Sequence, residues 1–272
     1  MSILSKDIIK NKLLPHLSQG KKGPKLTEEK LVSIVELIVY RLKTGCQWRE
    51  IPIGQYMDEP YSWQSVFHHY NRWCNDNCWQ LGWETLVAEN KDQLDLSSVQ
   101  MDGTHTPSKQ GGEAVAYQRR KSAKTTNSLS ICDAKGVLLA ASQPEKGNHN
   151  DLYEIEKHFK EMLETLENVG ISTDGLFMNA DAGFDCNEFR TLCFEYGIIP
   201  NICLNKRKGN LTDRDEYFDP LLYKQRTVIE HAFAWLDAYK ALLIRYEKKA
   251  KNWFNLNLLG FFVGFSKKIY PN

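Results

Sequence analysis

The chain has 272 residues, 42% hydrophobic and 25% charged, with a formal net charge of +1. That length suits one large domain or two modest ones around a real core, and the near-zero charge gives no bulk argument for a polyanionic partner. Seven scattered cysteines, an odd count, argue for reduced thiols in a cytoplasm rather than a disulfide framework. No signal peptide opens the sequence, and no apolar run is long enough to span a bilayer.

Ser5 can cap a first helix, with Ile8, Ile9, Leu13 and Leu17 on one side. KKGPK at 21–25 reads as a basic linker. Thr27 caps a stronger helix whose Leu31, Ile34, Val35, Ile38, Val39 and Leu42 follow a 3-and-4 spacing, and Gly45 is placed to end it. Ser62 caps a third helix with Val66, Phe67, Tyr70, Trp73 and Cys74 inside and His68, His69 and Arg72 outside. A fourth runs from about Gln80. Residues 1–95 are therefore expected to form an all-helical unit, compatible with a helical DNA reader or with a plain bundle.

After Leu96 the pattern changes. SSVQMDGTH predicts a strand with Asp102 near its end, and a loop rich in glycine and basic residues follows. Two strands then turn at Lys135-Gly136. An amphipathic helix is expected to start at Asn150 or Asp151, a strand to end at Asp181, a helix to run from Cys186 to Tyr196, and IIPNICL to form a last strand. Residues 96–272 read as a mixed sheet with helices on its faces, the connector KRKGNLTDRDEYFDP leading through Pro220 into a helix. Charge is segregated. Arg119, Arg120, Lys121 and Lys124 form a cluster without an acid, and five basic groups in 240–251 face one glutamate, whereas 151–174 is acidic.

Tyr223 to Tyr246 reads as one long helix. Tyr223, Arg226, Glu230 and Asp237 recur on one face, opposite an apolar stripe of Ile229, Ala232, Phe233, Leu236, Tyr239 and Leu243. Asp102 and Asp181 at strand ends, each closely followed by Gly, together with Glu230 offer three acidic oxygen ligands. That set suits Mg²⁺ or Mn²⁺ rather than zinc. Taken singly, each Asp is equally at home as a turn or cap residue. Cys74 and Cys78 have no second pair at zinc spacing and read as packing residues.

Asp102 in MDGTH, Asp181 in NADAGFD, and Tyr223, Arg226 and Glu230 in YKQRTVIEHAFAWL resemble the signature of DDE transposases from bacterial insertion sequences, in the branch named after insertion sequence five. LIVYRLKTGCQWREIP, SWQSVFHHYNRW and RRKSAKTTNSL resemble further segments of the same branch, so the likeness runs from about residue 10 to residue 250. The resemblance implies a ribonuclease H-like core in which Asp102, Asp181 and Glu230 bind two Mg²⁺ (Mn²⁺ as a substitute) and perform catalysis. It also implies that Tyr223 and Arg226 hold DNA phosphate. Arg119, Arg120, Lys121, Lys124 and Lys240 complete the expected DNA contacts. The wider signature places Lys seven residues after its Glu, where this chain has Asp237, and Lys240 is the next base along. GNHND at 147–151 is similar to a family loop, but His149 is not placed in the site.

The expectation is a cytoplasmic, nucleoid-associated bacterial transposase that binds the terminal inverted repeats of its element through residues 1–95. It would cut and join double-stranded DNA through residues 96–272, as a homodimer or larger assembly. The alternatives are a Mg²⁺-dependent nuclease of the same fold that only cuts, and a DNA-binding derivative without catalysis.

Overall fold

The computed structural model describes residues 3–20, 24–206 and 217–270. The basic linker read at 21–25 and the polar connector read at 206–220 fall largely outside them. In chain order the helices are α1 (Lys6–Ile8), α2 (Glu28–Thr44), α3 (Trp63–Asn75), α4 (Cys78–Glu89), α5 (Ile155–Asn168), α6 (Asn187–Glu195), α7 (Pro220–Tyr223), α8 (Thr227–Leu236), α9 (Lys240–Leu243) and α10 (Ala250–Ile269). The strands are β1 (Val99–Pro107), β2 (Ala116–Gln118), β3 (Ala123–Asp133), β4 (Leu138–Ala141), β5 (Glu145–Lys146), β6 (Phe177–Ala180) and β7 (Ile199–Ile202). They belong to two compact units. One is Met1–Glu89 with Pro107–Glu113 and Leu236–Asn272, and the other is Asn90–Thr106 with Ala114–Trp235.

The first unit is helical, and its local rules are those the sequence announces. Thr27 accepts the Lys30 N–H at the start of α2, Gly45 closes that helix at φ 67°, and Ser62 accepts the Ser65 N–H to start α3. The expected boundary at residue 95 differs from the observed grouping, because α10 packs against α2, α3 and α4 and belongs to this unit. In sequence that stretch offers only the short apolar run LNLLGFF. In the structure Trp253, Leu256, Leu258, Leu259, Phe261, Phe262, Val263 and Phe265 are all buried, together with Asn252, Asn255 and Ser266, so the helix is enclosed on nearly every side and central. Phe261 and Phe265 meet Trp83 edge-on, and the Tyr70 hydroxyl donates to the Asn252 carbonyl at 2.6 Å. Among the described residues no helix is long and apolar enough to cross a membrane.

The second unit is a mixed sheet with helices. The strand order is β2-β3-β1-β6-β7, with β4 and β5 also pairing with β3. β1–β6 and β6–β7 are parallel, and β3 pairs antiparallel with β2, β4 and β5. Gln100, Asn179 and Asn201 stand in register across the three parallel strands, fully buried. Their amides form a ladder. Asn179 donates to Gln100 at 2.7 Å, and Asn201 donates to Asn179 at 2.7 Å. The ends of the ladder reach outward. Asn201 and Asp219 exchange hydrogen bonds, Asn179 donates to the Leu222 carbonyl, and Ser98 donates to Gln225. Register among the parallel strands and the seating of the Asp219–Arg226 segment are thus set by one polar network. Removing its centre orphans buried partners on both sides. Asn179→Ala should cost about 2–4 kcal/mol of stability. Chemical denaturation of that variant with a loss under about 1 kcal/mol would show that the ladder is not what fixes the strands.

Three local expectations are corrected. The long helix over 223–246 is broken. α7 passes into a 3-10 turn at Lys224–Arg226, α8 ends at Leu236, and the chain turns before α9. Tyr239, 2% exposed, closes that turn by donating its N–H to the Leu236 carbonyl, so burying its ring takes precedence over continuing the helix. Asp102 lies within β1 rather than near its end, since pairing continues to Pro107. α5 starts at Ile155, because Glu154 adopts φ 47° and the preceding residues form turns.

Candidate active site

Met101 on β1 is in register with Ala180 on β6, so Asp102 and Asp181 leave the same level of two adjacent parallel strands. Strands so paired lie about 4.8 Å apart, which puts both carboxylates at one point of the sheet. Asp102 Oδ1 accepts the Gly103 N–H at 2.8 Å. Asp181 Oδ1 accepts the Gly183 N–H at 2.7 Å and caps the short turn Ala182–Phe184. That turn is held from behind, where Asn205 donates to the Ala182 carbonyl and, through its N–H, to the buried carboxylate of Asp185.

Arg226 joins the rest. Its Nη1 donates to Asp102 Oδ2 and its Nη2 to Glu230 Oε1, both at 2.7 Å. The guanidinium carbon lies 5.9 Å from the centre of the Tyr223 ring. The 3-10 turn at 224–226 followed directly by α8 keeps Arg226 and Glu230 four residues apart on one helical side. Of the expected set, the structure brings together Asp102, Asp181, Tyr223, Arg226 and Glu230. Asp237 falls past the end of α8, where burial raises its carboxyl pKa and Lys240 lowers it. Lys240, expected among the DNA contacts as the next base along, opens α9 in the helical unit, and the break after Leu236 takes Asp237 off the polar face predicted for it.

A fourth carboxylate, absent from the expected set, is Asp151. A Cβ added at Gly103 would overlap its carboxyl group, and Asn127 donates to it at 2.8 Å. Gly103 is glycine because this carboxylate passes against the backbone one residue after Asp102. The GNHND segment was the signal for it, although the notable residue there is its last. His149 itself stacks on Tyr153 at 3.6 Å. His105 lies in the same region, half-buried, with Nδ1 3.4 Å from Thr125 Oγ1. Burial lowers its pKa, Asp151 raises it, and Arg120 and Lys121 lower it. Arg119, Arg120 and Lys121 form the exposed tip between β2 and β3, and Lys124 pairs across the ribbon with the exposed Tyr117.

Burial pushes the Asp102 carboxyl up to about 6, against the Gly103 N–H and Arg226, which pull it down. Asp181 and Asp151 add to the rise. A carboxyl raised on folding binds more protons in the folded state between its unfolded value and about 6. Its burden on stability is therefore fully present above pH 6 and relieved as pH falls toward 4. Metal-free protein should accordingly gain on the order of 2 kcal/mol from this group between pH 7 and 4.5, a gain missing from Asp102→Asn. Parallel stability–pH curves for the two proteins would count against this electrostatic picture.

The donor set of Asp102, Asp181 and Glu230 is all carboxylate oxygen, which fits a hard cation such as Mg²⁺ or Mn²⁺. Arg226 now occupies the position of positive charge between two of them. Consistent with that, the three do not converge as a ligand cluster. Among the described residues the group whose ligand atoms lie within 4.8 Å of one another is Glu145, Glu154 and His158.

The profile of the family described as "DDE superfamily endonuclease" matches residues 101–256, more than half of the chain and all of this site. The chain belongs to the DDE superfamily. A second profile, described as "Putative transposase of IS4/5 family", matches residues 9–82, so the amino-terminal part of this DDE chain is similar to that group. No curated protein matches it. Among solved structures it is similar to piggyBac transposase in a synaptic complex with hairpin DNA, at TM-score 0.52 and 11% identity over 96% of this chain and 72% of that one. A weaker likeness is to Mos1 transposase in a paired-end complex with the left transposon end, at TM-score 0.29 and 11% identity over 91% of this chain and 80% of that one. At such identity the piggyBac likeness shows fold alone.

Proposed function

We propose that this DDE chain is a transposase that recognises the inverted repeats of its own element and catalyses strand cleavage and strand transfer. The observation that carries the reading is the linked set Asp102, Arg226 and Glu230, with Asp181 in register beside Asp102. A ribonuclease H-like core is supported by the sheet path β4-β3-β1-β6-β7, in which the acids leave the central parallel pair at one level. Asp102, Asp181 and Glu230 would hold two Mg²⁺. Bound there, the ions supply activation of the attacking hydroxyl and charge stabilisation at phosphorus. Arg226 is the internal cation that keeps the acids compatible before loading. Once their charge is otherwise balanced, its fork and the Tyr223 hydroxyl are free to position a phosphate. No Ser or Tyr nucleophile is needed.

The helical unit would bind the element ends, and the assembly on paired ends would be a homodimer or larger, acting on chromosomal DNA in a bacterial cytoplasm. The decisive assay is purified protein on a plasmid carrying the coding sequence with its native flanks, plus unlabelled target DNA. Cutting at the flanks and joining to target in Mg²⁺ are the expected products. Cutting without joining identifies the nuclease alternative, and neither product at any divalent ion identifies the DNA-binding alternative.

The exposed ribbon tip supports a sequence-independent role for Arg119, Arg120, Lys121 and Lys124, since exposed basic side chains on a turn suit phosphates better than base edges. Neutralising two of them should weaken binding to every DNA alike and reduce the slope of log K against log salt by roughly one per lost contact. A changed sequence preference at constant salt slope would assign them to bases instead.

A further inference from the structure

His158 is 2% exposed, and neither of its ring nitrogens has a hydrogen-bond partner. Buried imidazoles are ordinarily satisfied. Nε2 points to Glu145 Oε1 at 3.6 Å, and Nδ1 to Glu161 Oε2 at 3.6 Å, too long for hydrogen bonds in either case. Glu161 Oε2 is likewise buried and without a partner. Glu154 completes the group, with the ligand atoms of Glu145, Glu154 and His158 all within 4.8 Å of one another. Three carboxylates thus surround one buried ring. Lys157 is the cation beside them, pairing with Glu154 at 3.3 Å through two exposed side chains, a contact worth little and easily given up.

We propose that Glu145, Glu154 and His158 form a zinc site separate from the Asp102–Asp181–Glu230 set. Ligands about 2.0–2.1 Å from a tetrahedral ion stand about 3.4 Å apart, close to the Glu145–His158 separation. One imidazole with carboxylates suits a borderline ion, whereas Mg²⁺ takes oxygen ligands and keeps its waters. Glu161 sits where the second ring nitrogen needs an acceptor. Closing that 3.6 Å gap on metal binding would let it accept the Nδ1 proton and hold the tautomer that leaves Nε2 free to ligate, the usual outer partner of a metal-bound histidine.

The placement gives the ion a structural task. Glu145 lies on β5, which pairs with β3 through Asn127, while Glu154 and His158 lie at the start of α5. Asn127, Glu145, Asp151 and His158 line one small cavity. Zinc therefore ties the edge strand to the helix across the loop that carries Asp151 to Gly103. It holds that loop without entering the catalytic set.

The test uses full-length protein stripped with chelator and then dialysed against ZnCl₂ alone, with millimolar MgCl₂ present throughout. One tightly held zinc per chain is expected. So is a rise of about 5 °C in the thermal midpoint with Zn²⁺ that Mg²⁺ does not reproduce. Glu154→Gln, on an exposed side chain that does not threaten folding, and Glu145→Gln should each lower zinc affinity at least tenfold. Asp102→Asn should leave it unchanged. Cobalt substitution should give weak visible bands of nitrogen and oxygen ligands without sulfur charge-transfer absorption. The proposal is overturned if no zinc is retained, or if Mg²⁺ displaces it. It is equally overturned if zinc persists undiminished in both glutamine variants, or if cobalt reports thiolate ligands, since the chain carries seven free cysteines.

Discussion

Glu230→Gln should abolish DNA cutting and joining together, by several orders of magnitude, while leaving end binding and fold almost untouched. The side chain is 57% exposed and its ion pair with Arg226 is an i,i+4 surface contact, so its loss costs at most about 0.5 kcal/mol of stability. Chemistry is another matter. The substitution keeps the shape and a hydrogen-bond acceptor for Arg226, but removes one of three anionic ligands. It also leaves Arg226 with Asp102 as its one carboxylate partner, which strengthens that pair and further disfavours cation loading at Asp102. Both reaction steps share one site and should fall by the same factor. Measuring cutting, joining, end binding and thermal midpoint on one preparation separates this from an ordinary surface glutamate. A Glu230→Gln protein that still joins strands in Mg²⁺ at a near wild-type rate would falsify the three-carboxylate account.

A fragment of residues 1–95 should fail to fold, whereas 1–89 joined by a flexible linker to 236–272 should form a cooperative helical domain. α10 supplies Trp253, Leu256, Leu258, Leu259, Phe261, Phe262, Val263 and Phe265, each at most 4% exposed. At about 1.5–3 kcal/mol for each fully buried side chain, this is as large as or larger than the roughly 5–15 kcal/mol that holds a domain together. Without α10, Trp83 loses two aromatic neighbours and Tyr70 its buried acceptor. Circular dichroism and denaturant titration of both fragments decide the point. A 1–95 fragment with a sharp unfolding transition would mean that α10 merely covers a domain already complete.

The sequence made the capped helices legible because caps and periodicity act within a few residues. Thr27, Gly45 and Ser62 do what their types suggest. The strands carrying Asp102 and Asp181 were also legible, from apolar runs closed by turn residues. What could not be read depends on distant partners. Nothing local shows that Gln100, Asn179 and Asn201 stand side by side, since each alone is a polar residue in an apolar strand. Asp151 becomes part of the site only because β3, through Asn127, carries it to Gly103. The unbroken stripe from Ile229 to Leu243 suggested one helix. Its residues serve two cores, one up to Trp235 and another from Leu236, and periodicity cannot reveal which core a residue enters.

The return of the chain to its first unit also orders events on the ribosome. The segment that packs Phe261 and Phe265 on Trp83 is translated about 150 residues after Glu89. At about 5–20 residues per second, the opening helices wait roughly 7–30 s with this face of Trp83 uncovered. The sheet unit, complete at Trp235, emerges before that wait ends. During synthesis the middle of this protein can thus mature ahead of its beginning, and the nascent amino-terminal segment is the stretch that most needs a chaperone.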